Sequence, residues 1–220
     1  MSRSIIIGDI HGCSAEFEDL LEKIGPRIGD RIFLLGDLVN RGPDSARVLD
    51  LAIRHQCVSM MGNHEFRLLR YHRFGDRSIL KGYDRATLET MKPAHWSYMA
   101  SMKAALSLAD QKTLLVHGGF LPHQPWAEQP LETVCRLKVL PKEEAVLPFL
   151  SRGQSVKGTH WSEVWPGPET VFYGHTPRSK VTFNAFTVGL DTACVYGNFL
   201  TACILPEMEL VQIRARRAYI

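Results

Sequence analysis

Five times along this chain a short apolar run ends at a glycine that stands beside a residue able to bind a metal. The runs are Ile5–Ile7, Ile32–Leu35, Cys57–Met61, Thr113–Val116 and Thr170–Tyr173. Their endings are Gly8-Asp9-Ile10-His11-Gly12, Gly36-Asp37, Gly62-Asn63-His64-Glu65, His117-Gly118-Gly119 and Gly174-His175. Continuous apolar runs of this length read as strands buried on both faces. Open α/β sheets bind their ligands beyond the C-terminal ends of such strands. Asp9, His11, Asp37, Asn63, His64, His117 and His175 are therefore expected to meet at one edge of the fold.

Helical spacing fills the gaps between the first runs. Phe17, Leu20, Leu21 and Ile24 recur on one face, with Ser14 as the expected cap and Gly25-Pro26 as the stop. Pro43-Asp44-Ser45 opens a second helix, and Glu65 to Phe74 reads as a third. Strand, helix, strand, helix, strand predicts a parallel sheet with right-handed crossovers. Residues 75–110 read as a helical, cap-like insertion beside the site, with helices over Tyr83–Met91 and His95–Leu108 split by Pro93. Residues 120–168 carry Trp126, Trp161 and Trp165 and many prolines; a helix is expected only around Leu131–Leu140. That segment suits either a substrate-facing wall or plain packing. Thr187–Leu190, Phe199–Leu205 and Leu210–Arg214 read as antiparallel strands. No linker or repeat breaks the chain, so residues 1–220 are expected to form one domain.

Composition excludes several classes. No apolar stretch approaches 18 residues, so no membrane span is expected, and the N-terminal apolar run is too short for a signal peptide. The expected location is the cytoplasm. Five scattered cysteines without a C-x-x-C pair argue against a disulfide framework or a thiolate zinc site. A net charge of +3 does not by itself indicate nucleic-acid binding.

Mixed carboxylate, imidazole and carboxamide ligands suit borderline divalent ions. Two such ions about 3.5–4 Å apart can clamp the attacking and leaving oxygens of an in-line displacement. Asp37 is then the bridging carboxylate. Asp9 and His11 would complete one ion, and Asn63, His117 and His175 the other. Manganese leads among the metals, with iron, zinc, cobalt or magnesium also compatible. Arg41, five residues past Gly36, can hold a phosphoryl group in its planar fork. His55, His72, His95, His123 and His160 lack this context and are read as surface or packing residues.

Taken together and in order, these five motifs, with Asn40-Arg41-Gly42 in the second, resemble those of the calcineurin-like metallophosphoesterases. The similarity runs over residues 4 to about 205 and is closest to the phosphoprotein phosphatase superfamily. It implies a four-layer α/β/β/α sandwich with a dinuclear site at the strand C-terminal ends. It also implies attack on phosphorus by a hydroxide bridging two divalent ions, with His64 donating a proton to the leaving oxygen. A non-catalytic, decayed relative would be expected to lack ligands, and none of the six is missing.

One position departs from the protein phosphatases of that superfamily, where an aspartate paired with this histidine stands in place of Asn40. A neutral amide cannot offset the charge of an imidazolium, which favours good leaving groups such as nucleotide phosphates over serine alkoxides. The stretch Gly36–Ser45, with Trp165–Glu169 and Gly189–Ala202, is similar to the symmetrical diadenosine tetraphosphatases and the ApaH-like phosphatases. The expected substrate is accordingly a nucleoside polyphosphate. The alternative is a phosphorylated Ser, Thr or Tyr protein, and capped RNA stays open as a chemically close substrate. Ala193 stands where the ApaH-like group usually has glycine, a costly exchange if φ there is positive. Asp191 either supports the metal histidines or caps a turn. Arg136 is a further candidate phosphate contact, or a surface arginine.

Overall fold

Ile5, Ile6 and Ile7 alternate between two cores: Ile5 and Ile7 pack toward helices, Ile6 toward a second sheet. That alternation, repeated along the other strands, builds the molecule in layers. The computed structural model describes residues 3–140 and 158–220. Its strands are β1 (Ser4–Ile7), β2 (Arg31–Leu34), β3 (Val58–Ser59), β4 (Ala105–Leu108), β5 (Thr113–Val116), β6 (Thr170–Tyr173), β7 (Thr182–Phe183), β8 (Thr187–Gly189), β9 (Phe199–Leu205) and β10 (Glu209–Arg214). The helices are α1 (Ser14–Ile24), α2 (Ser45–Arg54), α3 (Asn63–Phe74), α4 (Asp84–Thr90), α5 (Pro93–Ala100) and α6 (Leu131–Val134).

Two five-stranded mixed sheets result, ordered β10-β9-β1-β2-β3 and β4-β5-β6-β8-β7. β1, β2 and β3 are parallel, as expected from their helical crossovers. Ile6, Phe33, Leu115, Phe172 and Cys203 fill the space between the sheets. Phe17, Leu20, Val48 and Leu49 cover the outer face of the first sheet from α1 and α2. Leu114, Val116, Val171 and Tyr173 face outward from the second sheet onto Phe120, Trp161 and Trp165. The expected layered α/β sandwich is thus present, with an outer layer of aromatic side chains and short turns over the second sheet among the described residues.

Several expectations need correction. Helix α5 stops at Ala100, and residues 105–108 form β4, antiparallel to β5. Alanine and leucine favour helix locally, but pairing with Thr113–Val116 outweighs that preference. Helix α6 spans four residues instead of reaching Leu140. The Val134 carbonyl is taken by the N–H groups of Gly118 and Gly119, and Val139 and Leu140 pair with His160 and Thr159. β8 lies parallel to β6, while only β9 and β10 form the expected antiparallel pair. Ser14 does not cap α1; it lies inside the first turn, because the Gly12 turn at φ 71° already brings Cys13 to the cap position. Of the 120–168 wall, residues 141–157 lie outside the described residues. No described helix is long and apolar enough to cross a membrane.

The start of β1 is fastened by an ion pair between Arg3 and Asp30, just before β2. Its hydrogen bonds from Arg3 outweigh burial and hold the Asp30 carboxyl at about 2. A depressed carboxyl contributes stability above its unfolded value and loses it as pH falls through the folded value. Asp30→Asn should lower the melting temperature at pH 7 by about 2–4 °C, the shift ~1 kcal/mol produces at this size. The two melting curves should converge as pH falls from about 4 to about 2, as calorimetric scans across that range would show.

Candidate metal centre

The loops after β1 and β2 are stitched together by their backbones. Ile10 and His11 donate to the Asp37 carbonyl at 3.2 and 2.8 Å, Gly12 to Leu38 at 2.7 Å, and Gly42 to His11 at 2.8 Å. The stitching holds ordinary residues in the left-handed region: His11 at φ 48°, Asp37 at 49°, Asn40 at 73° and Arg41 at 72°. Such conformations persist only where surrounding bonds over-determine them. Glu65 supplies the strongest of these constraints. Its fully buried carboxylate accepts from the N–H groups of Asp37, Leu38 and Val39 at 3.0, 2.8 and 3.1 Å. Burial, with the Asp37 charge, nevertheless lifts the Glu65 carboxyl to about 7.

Asp37 sits at the centre, almost fully buried. Its Oδ2 faces His11 Nε2 at 3.5 Å and its Oδ1 faces His117 Nε2 at 3.3 Å. Oδ1 also accepts from the His64 N–H at 3.1 Å. Burial alone would raise its carboxyl, but His117, His64 and His11 bring it well below the usual range. Two groups of potential ligand atoms share this residue: Asp37 with His11 and His64, and Asp37 with His117 and His175.

The imidazoles are oriented from behind. His11 Nδ1 donates to the Val39 carbonyl at 3.2 Å, and His117 Nδ1 to that of Leu35 at 2.8 Å, which leaves each Nε2 as a lone pair. His175 Nε2 donates to the Arg136 carbonyl at 3.1 Å, which leaves Nδ1. The Asn63 carboxamide oxygen lies 3.4 Å from His117 Nε2. Both Asp9 oxygens accept from the His175 N–H, at 3.0 and 3.1 Å, which places Asp9 on the His175 side. A Cβ at Gly174 would overlap Asp9, and one at Gly62 would overlap Asp37, so glycine at both positions makes room for the carboxylates.

This donor set fits a pair of divalent ions. Burial, then the nearby Asp191, pushes the Asp9 carboxyl well above its ordinary value. Asp191 is itself lifted to about 6, chiefly by burial. Buried carboxylates crowded in this way call for cations between them.

The remaining expected residues divide. Arg41 points into the site and donates to His11 Nε2 at 3.1 Å, with the Tyr83 and Tyr196 rings each 5.9 Å from its guanidinium. His64 stands beside Asp37, bonded to Asn40. Asp191 caps a turn: its Oδ1 accepts from the Ala193 N–H at 3.1 Å, and among the described residues it makes no hydrogen bond to His11, His117 or His175. Ala193 does carry a positive φ, 61°. Arg136 serves His175 through its carbonyl, while its guanidinium lies half-exposed over Phe66. Sequence reasoning misses Lys138, a partly buried cation within electrostatic reach of Asp191, Asp37 and Asp9, and assigns no role to Glu65, Tyr83, Asp84 or Tyr196. Glu65 carries a local signal, as the last residue of Gly62-Asn63-His64-Glu65, and Tyr196 lies in the Gly189–Ala202 stretch.

Glu65→Ala would leave three buried N–H donors unpaired. At roughly 1–3 kcal/mol each, the loss is at least about 3 kcal/mol, to be read as a lowered midpoint in urea. Glu65→Gln, which keeps one acceptor oxygen, should lose less.

Comparison with known proteins agrees with this geometry. The calcineurin-like phosphoesterase family profile matches residues 2–185. A bis(5'-nucleosyl)-tetraphosphatase PrpE, asymmetrical, from Bacillus anthracis is 30% identical over 94% of this chain and 92% of its own. The protein of the same name from Oceanobacillus iheyensis is 28% identical over 98% and 93%. A crystal structure described as a candidate diadenosine tetraphosphatase superposes with a TM-score of 0.85 at 29% identity, covering 97% of this chain and 94% of that one. With its site assembled as above, the chain is a hydrolase and belongs to the calcineurin-like phosphoesterases.

Proposed function

We propose that this chain hydrolyses a phosphoanhydride bond in a nucleoside polyphosphate of the diadenosine tetraphosphate type, with two divalent ions, manganese foremost. The carrying observation is the Asp37 carboxylate, whose two oxygens face separate imidazole groups. Asp9, His11, Asn63, His117 and His175 complete the donor set around it. When bound, the ions supply a water of lowered pKa and offset charge on the phosphoryl group.

The chain's own side chains supply the rest. Arg41 presents a fork to phosphoryl oxygens, and the flanking tyrosines limit its swing. Lys138 adds a second cation on the side of Asp9 and Asp191. Arg136, at the rim, can meet the distal phosphates of a long substrate. His64 offers a hydrogen-bond donor to the leaving oxygen. Its Nδ1 meets the Asn40 amide in place of a carboxylate, and burial holds its imidazole well below its ordinary value. Weak acid assistance suits a leaving nucleotide phosphate, whose second pKa is near ~6, better than an alkoxide.

The names of the relatives support asymmetrical cleavage, which divides diadenosine tetraphosphate into ATP and AMP, in place of the central cut of the symmetrical enzymes. The five cysteines are all unpaired and buried, which suits a reducing compartment and the cytoplasm. We read residues 1–220 as one domain.

Manganese-loaded enzyme given diadenosine tetraphosphate should release ATP and AMP in equal amounts, and Asp37→Asn should release neither. Two ADP would move the cut to the centre. A preparation that cleaves p-nitrophenyl phosphate yet yields no nucleotide would overturn the anhydride reading. Titration calorimetry should find two manganese sites, both weakened at least ~10-fold by Asp37→Asn.

A further inference from the structure

Behind His64 lies a buried polar chain that the metal centre does not use. Asn40, His64, Arg67 and Asp84 are all buried, and Tyr83 stacks on the His64 ring at 5.3 Å. Asp84, at the start of α4, accepts four hydrogen bonds. Arg67 Nε and Nη2 donate at 2.9 and 2.8 Å, the Lys81 N–H at 2.6 Å, and Asn40 Nδ2 at 2.8 Å.

A carboxylate has no hydrogen to give, so the Asn40 amide must turn its nitrogen toward Asp84. The opposite orientation would set two acceptor oxygens 2.8 Å apart. The same Asn40 nitrogen lies 3.0 Å from His64 Nδ1, and Arg67 Nη2 lies 3.5 Å from it. Both of these neighbours are donors only, so Nδ1 must accept. The ring hydrogen then sits on Nε2, the atom that faces Asp37 Oδ2 at 3.9 Å. Meeting both partners leaves the Asn40 Oδ1 buried without one. Such an unpaired oxygen is costly, and it marks the orientation as imposed by Asp84.

We infer that Asp84 is a positioning residue of this site: held by Arg67, it orients Asn40 so that His64 carries its hydrogen on Nε2. Two consequences follow from that arrangement. His64 presents a fixed N–H toward the leaving oxygen as a neutral ring. It is also removed from the ligands, although it groups with His11 and Asp37 by distance, because a protonated Nε2 has no lone pair for an ion. An aspartate at position 40 would do the reverse, accepting from Nδ1–H. Here the negative charge stands one residue further back.

The metal-free chain, labelled with ¹⁵N-histidine, tests this directly. Long-range ¹H–¹⁵N correlation spectra distinguish the two tautomers, and His64→Gln identifies the His64 signals by their loss. Wild type should show the Nε2–H form alone. Asn40→Ala keeps the Asp84–Arg67 pair and should let both tautomers appear. Asn40→Asp/Asp84→Asn keeps the charge count, exchanges the two groups, and should move the hydrogen to Nδ1. An Nδ1–H form in wild type, or one tautomer unchanged across all three proteins, would overturn the assignment.

A second readout rests on the anhydride reading. In manganese-loaded enzyme, the exchange should raise kcat/KM for O-phosphoserine relative to diadenosine tetraphosphate at least ~10-fold, since acid assistance matters more for an alkoxide leaving group. An unchanged ratio would overturn the role at the leaving oxygen. The spectra report on Asp84 whatever the substrate proves to be.

Discussion

The three hydrogen bonds from the Asp37–Val39 backbone to the Glu65 carboxylate hold the centre of this molecule. Asp37 can point a separate oxygen at each imidazole group only from a left-handed backbone, and an ordinary side chain does not rest there unaided. Glu65 supplies the restraint from the first turn of α3, in the same motif that delivers Asn63 and His64. One short segment therefore contributes a ligand candidate, the His64 imidazole and the brace for Asp37. The His11 loop is then stitched onto the braced segment, so its position follows from the same three bonds.

The ligand candidates come from both sheets. Asp9, Asp37 and Asn63 follow β1, β2 and β3; His117 and His175 follow β5 and β6. The centre exists only because Ile6, Phe33, Leu115 and Phe172 pack the sheets against each other and bring their strand ends into register. Apolar packing thus determines distances in a polar site, as the His117 Nδ1 bond to the Leu35 carbonyl shows: it joins one sheet directly to the other.

Much of this centre is legible in the amino-acid sequence, for a physical reason. A strand that ends in glycine and a polar residue announces its own role within a few positions, so the six ligand candidates and His64 can be collected from sequence alone. Asp84 cannot. It stands at a helix start, where a carboxylate has an ordinary explanation, and its partner Asn40 lies 44 positions away. Lys138 is hidden likewise, since nothing local distinguishes a lysine that long-range packing turns toward a site. In the fold, β4 reads as helix because alanine and leucine speak for helix when their strand partner is ignored. The direction of β8 depends on which strand it joins, and that choice is made by the assembled sheet.

The first sheet pairs β1 with β2 on one side and with β9 on the other, in a register that matches Ser4 to Leu205. Nearly the whole chain is enclosed between those partners. During synthesis β1 emerges well before its partner and then waits, one edge open, until residues 199–205 arrive. Contacts so distant in sequence are slow to form, and an open edge invites pairing with the wrong chain. The interval between the two ends is thus when this protein is most exposed to aggregation, and the hairpin of β9 and β10 is what closes it.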